Sequence, residues 1–264
     1  MNKDLEQKYL DVINDDINVG KSNVFCEFVI LIAGLIFMCF LIYVFADKIS
    51  AFLIDRISAK TQVKIEKIFP NPKLPKVENP SEKILFLEKI KSQIIAMDKN
   101  LQNKSKLNIY QTPNEEINAF VTANGTIYFT EGILKKVDDE KTLAFVLAHE
   151  IGHYANRDHL KTISRELIAA ILYSLITLGQ QDLESSIESI ATVGSLNYSR
   201  KQEKQADIYA AKVIYKLYGN LDGAENFFSI IEAEKDSFEL LKYFSTHPPA
   251  KERLELIKNI KKTY

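Results

Sequence analysis

His149, Glu150 and His153 stand together in Ala148-His149-Glu150-Ile151-Gly152-His153, and these residue types at this spacing suit zinc-dependent hydrolysis. The stretch ahead of them, Thr142-Leu143-Ala144-Phe145-Val146-Leu147, has no Gly or Pro and is rich in Leu and Ala, which predicts a helix. On a helix, residues four apart lie on one face, so both imidazoles can reach a single ion. Glu150 neighbours the first of them, where a carboxylate can take the proton of an attacking water. Pairs of His at this spacing also arise on ordinary helical faces. Here three of the chain's four His fall between residues 149 and 159, and the HExxH pattern is intact on an apolar helix. That favours one zinc ion per chain over coincidence.

A catalytic zinc site needs a third ligand. His159 follows His153 by six residues, where the metzincin pattern HExxHxxGxxH places its last His. Asn156 fills the Gly position of that pattern and can adopt a left-handed turn. A metzincin also needs a methionine turn downstream, yet Met occurs only at 1, 38 and 97, so this reading fails. Glu203 is the better third ligand. It lies four residues before Asp207, again one helical turn apart, beside an apolar stripe at Ala206, Tyr209, Ala210 and Val213. Asp207 can accept the ring N–H of a ligating His and fix its tautomer. The competing reading is a solvated face, since Arg200, Lys201 and Lys204 are neighbours.

The elements that must position these groups can be read in order. Residues 1–23 form a polar N-terminal tail. Residues 24–46 predict a transmembrane helix, since Phe28 to Ala46 runs nineteen residues without a charge. Residues 47–79 predict a juxtamembrane helix over 47–67 and a linker marked by Pro70, Pro72, Pro75 and Pro80. Lys48, Arg56, Lys60, Lys64 and Lys67 after the span outnumber Lys3, Lys8 and Lys21 before it, which favours a cytoplasmic C-terminal domain. A compact domain then occupies 80–264. An amphipathic helix is expected over 81–100, then short strands over 107–110, 117–122 and 126–130 with a hairpin turn at Asn124-Gly125. Asp138-Asp139-Glu140 suits the start of the HExxH helix. Leu167 to Leu178 predicts a core or interfacial helix, and further helices are expected at 183–193, after Ser199 as far as Tyr218-Gly219-Asn220, at 222–233 and at 250–262. Net charge is −1 and no basic block occurs, which argues against a nucleic-acid partner. Cys26 and Cys39 both lie in the apolar segment, so the sequence offers no disulfide scaffold.

Four segments, Asn118-Ala119-Phe120, Ala148 to His153, Tyr198 through Asp207, and Ser245-Thr246-His247-Pro248, together resemble the HtpX-like and CAAX-prenyl-protease-like zinc endopeptidases. The likeness runs from about residue 80 to the C-terminus, in the family's order, and lacks the multi-span core of HtpX. It implies an α+β, predominantly helical, zincin-like metalloprotease domain with a small β-sheet. It also implies that an edge strand at Asn118, Ala119 and Phe120 binds extended protein or peptide substrates by strand addition. By the same resemblance, His247 approaches the zinc and stabilises the oxyanion, with Arg253 in support. Read from residues alone, Asn118 is an ordinary polar residue near a turn, and His247 an exposed residue before a Pro-initiated helix.

The sequence therefore predicts a zinc metalloendopeptidase anchored in a bilayer through residues 24–46. His149, His153 and Glu203 would hold the metal, with Glu150 as general base, and the resemblance implies work in membrane protein quality control. A catalytically silent, zinc-stabilised membrane scaffold is the first rival, and an intact Glu150 speaks against it. The second is a hydrolase of small molecules, and the strand pair at 118–129 speaks against that.

Overall fold

A computed structural model describes residues 3–14, 23–69, 74–102, 107–122, 124–177, 196–233, 247 and 250–262. The expected helix at 183–193, Pro70 and Pro72 lie outside the described residues. The chain divides into two compact units, residues 1–45 and 46–264.

The first unit holds helix α1 (Lys3–Asn14) and most of α2 (Val24–Arg56). The helix α1 falls within the stretch that composition marks as a polar tail. Along α2, Phe28, Ile30, Leu31, Ile36 and Phe40 are exposed. Its 33 residues make it long and apolar enough to cross a membrane. The expected single juxtamembrane helix is corrected: α2 continues unbroken to Arg56, and a separate α3 (Ala59–Glu66) begins after Ser58, whose hydroxyl caps it by accepting from Thr61 N.

In the second unit, α4 (Glu82–Met97) buries Ile84, Leu87, Ile90 and Ile94 of the stripe its sequence spacing predicts, and Ile95, the fifth member, is partly buried beside them. The short α5 (Lys99–Gln102) leads to a three-stranded sheet of β1 (Ile109–Thr112), β2 (Ala119–Val121) and β3 (Ile127–Thr130). The strand order is β1-β3-β2, with β1 parallel and β2 antiparallel to β3. The hairpin between β2 and β3 turns at Gly125, whose φ of 82° favours glycine. No further strand pairs with β2 among the described residues.

Thr130 caps α6 (Glu131–Lys136), and Asp139 caps α7 (Glu140–Ala155) by accepting from Thr142 N at 2.8 Å. Every residue of α7 from Thr142 to Tyr154 is buried, so this helix is the spine of the domain. Then come α8 (Asp158–Ile176), α9 (Arg200–Tyr218), α10 (Asp222–Ala233) and α11 (Ala250–Lys261). Helix α9 opens with a capping box of Ser199 and Gln202 and stops at Gly219, φ 70°. At the end of α8, Ile171, Tyr173 and Leu175 are exposed.

Close approach of α7 to α9 rests on Gly152. A Cβ there would stand 3.1 Å from Ala206 Cα, so two small residues let the helices touch along the face that carries the chemistry. Phe145 of α7 packs against Phe227 and Phe228 of α10 at 5.6 and 5.9 Å between ring centroids, which fixes the other side of the spine.

Candidate metal centre

Four buried residues from two adjacent helices and the segment before α11 converge. His149, His153, Glu203 and His247 each offer a ligand atom, and these atoms all lie within 4.8 Å of one another. His149 and His153 project from one face of α7, and their Nε2 atoms are 3.1 Å apart. Glu203, from the first turn of α9, places Oε1 3.2 Å from His153 Nε2 and Oε2 3.6 Å from His149 Nε2.

Each imidazole is oriented from behind. His149 Nδ1 faces Asp207 Oδ1 at 3.0 Å, and His153 Nδ1 faces Asp158 Oδ2 at 3.0 Å. With a proton on each Nδ1, both Nε2 lone pairs point into the same space as a carboxylate. Three converging electron-pair donors repel one another unless a cation lies among them. Two imidazole nitrogens and a carboxylate oxygen are zinc's usual ligand types, so the residues present fit a zinc ion.

The electrostatics agree. Burial pushes His149 down to about 4, only partly opposed by Asp207. Burial would also lower His153, but the Asp158 and Glu203 carboxylates more than reverse this and hold it up at about 10. Without metal, a proton takes the cation's place. Burial works to raise Glu203 and Asp207, yet neighbouring basic side chains win. His247 and Arg253 hold Glu203 well below the usual range, and Arg253 holds Asp207 at about 2.

Arg253 forks between the two acids. Its Nε and Nη2 donate to Asp207 at 2.7 and 2.8 Å, and its Nη1 lies 3.0 Å from Glu203 Oε2. Glu150 sits beside the cluster, outside the group of four and 1 % exposed. Burial raises its carboxyl above the ordinary range, while a hydrogen bond from the backbone of Val121, on β2, opposes the shift. Its Oε2 has no hydrogen-bond partner among the described residues. His247 is buried rather than exposed, with Nδ1 2.7 Å from Glu203 Oε1 and Nε2 3.9 Å from Glu150 Oε1.

Asn118, Ala119 and Phe120 are buried along and just before β2, beside α7. His159 lies apart from the metal cluster, its Nε2 3.2 Å from Glu66 Oε1. The left-handed residue of the turn is Arg157, φ 59°, whereas Asn156 is right-handed at −77°. Sequence reasoning passes over Asp158 for the His beside it; the available signal was an acid at the first position of the next helix. It also gives no role to Tyr198, whose ring stacks on His153 at 3.9 Å.

Residues 87–261 match the model of peptidase family M48. The chain belongs to peptidase family M48. Among curated M48-like relatives, a mitochondrial metalloendopeptidase OMA1 of Schizosaccharomyces pombe is 27% identical over 177 residues, covering 66% of this chain and 51% of the relative. A protease HtpX homolog of Methanocaldococcus jannaschii is 31% identical over 188 residues, covering 54% and 65%. A putative beta-barrel assembly-enhancing protease of Vibrio cholerae is 28% identical over 158 residues, covering 55% and 31%. The match thus covers less than two thirds of each of these proteins. M48 peptidases are zinc-dependent, and the His-His-Glu-His cluster lies within the matched region.

Proposed function

We propose that this chain is a membrane-anchored zinc metalloendopeptidase that hydrolyses peptide bonds of protein substrates. The observation that carries the reading is the convergence of His149, His153 and Glu203 beside a buried carboxylate, Glu150, itself hydrogen-bonded to the edge strand β2. In this reading His149, His153 and Glu203 hold the metal, while Asp207 and Asp158 keep the two imidazoles in the tautomer that ligates. Zinc, when bound, supplies a Lewis acid that activates water and polarises a carbonyl.

The chain's own groups do the rest. Glu150 takes a proton from the attacking water and returns it to the departing amine, work for which a buried carboxyl with a raised pKa is suited. His247, held at Nδ1 by Glu203, is placed to donate to the oxyanion. Substrate would lie along Asn118, Ala119 and Phe120. Asn118 and Thr122 hydrogen-bond to β3, through Thr130 N to Asn118 O and Thr122 N to Thr126 O. Antiparallel pairing alternates, so Ala119 turns its backbone groups to the outer side of β2, where an extended peptide can pair, while the backbone of Val121 on that side engages Glu150. The silent-scaffold reading leaves Glu150 without work.

Calorimetric titration of the metal-free chain with zinc, in two buffers of different ionisation heat, tests the metal reading. One ion should bind and about one proton should leave at pH 7, because His153 must give up the proton that its raised pKa retains. Affinity should therefore rise with pH through the neutral range. His149→Ala should abolish both binding and cleavage of an unfolded protein. An unmutated chain that takes up no zinc would sink the reading.

Residues 24–46 would anchor the protein in the bilayer, and the basic residues after the span favour a cytoplasmic protease domain. A reporter fused after Tyr264 that works only outside the cytoplasm would reverse that orientation.

A further inference from the structure

A second buried polar cluster lies behind the metal centre, and no catalytic step uses it. On α3, Gln62 and Glu66 are four apart and both buried. Gln62 Nε2 donates to Glu66 Oε1 at 2.7 Å, the Tyr154 hydroxyl donates to Oε2 at 3.1 Å, and His159 Nε2 lies 3.2 Å from Oε1. The Tyr154 and His159 rings stack, with centroids 5.1 Å apart and planes within 11°. A carboxylate buried this deeply is tolerated only because donors surround it.

The places of those donors in the chain matter more than their number. Tyr154 immediately follows His153 in α7, and His159 immediately follows Asp158 in α8. Between them lies the turn that sets Asp158 against His153 Nδ1. One carboxylate therefore grips both flanks of that turn. The turn is gripped again at its left-handed residue. Arg157 Nη1 donates to Ile54 O and Ile57 O, each at 2.8 Å, in the last turn of α2 and just past it, where Ile54 O also accepts from Ile57 N at 3.3 Å. Lys161 pairs with Asp55 at 2.8 Å, and Arg165 with Asp47 at 3.3 Å, extending the contact along α8.

We infer that Glu66 is a positioning residue for the zinc centre, and that α3 with the last turns of α2 belongs to the scaffold that orients His153. This rests on the reading of His153 as a ligand and Asp158 as its holder. Without Glu66, Tyr154 and His159 lose their common acceptor, the turn between them relaxes, and Asp158 no longer fixes the His153 ring. The cost falls on metal retention and on kcat, because the cluster holds the turn that sets Asp158 against His153.

The test uses the full chain in detergent, loaded with zinc, and follows release of the metal to a chromogenic chelator together with kcat and KM on an unfolded protein. Glu66→Gln should release zinc faster by about ten- to a hundredfold, with a comparable loss in kcat. Tyr154→Phe removes one hydrogen bond while keeping the ring stack, and should move both readouts in the same direction by roughly two- to tenfold. Leu87→Ala, a cavity in the α4 core far from the cluster in sequence, should lower the melting temperature and leave zinc release unchanged. Wild-type zinc release and kcat in Glu66→Gln and Tyr154→Phe would overturn the inference. So would a Leu87→Ala chain that loses zinc as fast as Glu66→Gln at a matched loss of melting temperature. Should Glu66→Gln fail to fold, Tyr154→Phe decides. A chain that holds no zinc, or whose Glu150→Gln variant still cleaves, overturns the functional reading itself and this inference with it.

Discussion

Glu150→Gln is expected to bind zinc as the unmutated chain does and to lose about 10²- to 10⁴-fold in kcat. Gln keeps the shape of the side chain, so the neighbours of position 150 stay in place. What it lacks is a basic lone pair that can hold a transferred proton. Glu150 stands outside the cluster of ligand atoms, which is why metal should survive the change. Its Oε2 has no partner among the described residues and is the oxygen available for proton transfer. The sign of the pH dependence follows from burial. Glu150 must be ionised to act, and burial raises its pKa, so kcat/KM should fall on acidification at a pH above the ordinary carboxylate range. Metal content and initial cleavage rates, taken on one preparation, are sufficient. Cleavage at the wild-type rate with one zinc bound would falsify the assignment of Glu150.

Arg253→Met carries the second large effect, and it acts on stability. Glu203 and Asp207 are 1 % and 0 % exposed, and Arg253 spans both. Removing the guanidinium leaves two buried carboxylates short of their cation, which should destabilise the zinc-free chain by about 3–5 kcal/mol. Arg253 depresses both acids, so the stability it contributes is present above the unfolded carboxylate range and is lost as pH falls through the folded values, about 2 for Asp207. The deficit of the variant should accordingly be widest near neutrality and narrow in acid. Zinc should restore part of it, because a ligand that binds only the folded state stabilises that state. Thermal melting with chelator and with zinc, at two pH values, separates these contributions. Arg253→Lys should fall between, since an ammonium replaces the charge but not the fork. Equal melting temperatures for Arg253→Met and the unmutated chain in chelator would exclude this role.

The legible parts of the site are those whose spacing is local. His149 with His153, and Glu203 with Asp207, are each one helical turn apart, and a helix turns that spacing into a shared face. The capping acids before α7 and the glycine after α9 are local as well, which explains why those helix limits agree with expectation. What stays hidden depends on contacts between distant segments. Glu66 is 88 residues from Tyr154 and 93 from His159, and nothing around it marks a buried carboxylate. Asp158 is close in sequence to His153 but is masked by His159, a more conspicuous residue one position later. Arg157 takes the left-handed conformation in place of Asn156, a cost that its guanidinium contacts with Ile54 and Ile57 help to offset. The break between α2 and α3 is similarly quiet, since only Ser58, a good cap, announces it.

His149, Glu150, His153, Glu203 and His247 share one property described above: all are buried, and so are Ala119 and Val121 of β2. A polypeptide cannot reach a carboxylate sealed from solvent or pair with a strand whose backbone is covered. If the chain is the protease proposed above, these groups are assembled out of reach of a polypeptide. In that reading, opening would be a step of the catalytic cycle, and whatever governs how often the protein opens would set how fast it cuts. Restraint of this kind would suit the membrane-anchored protease proposed above.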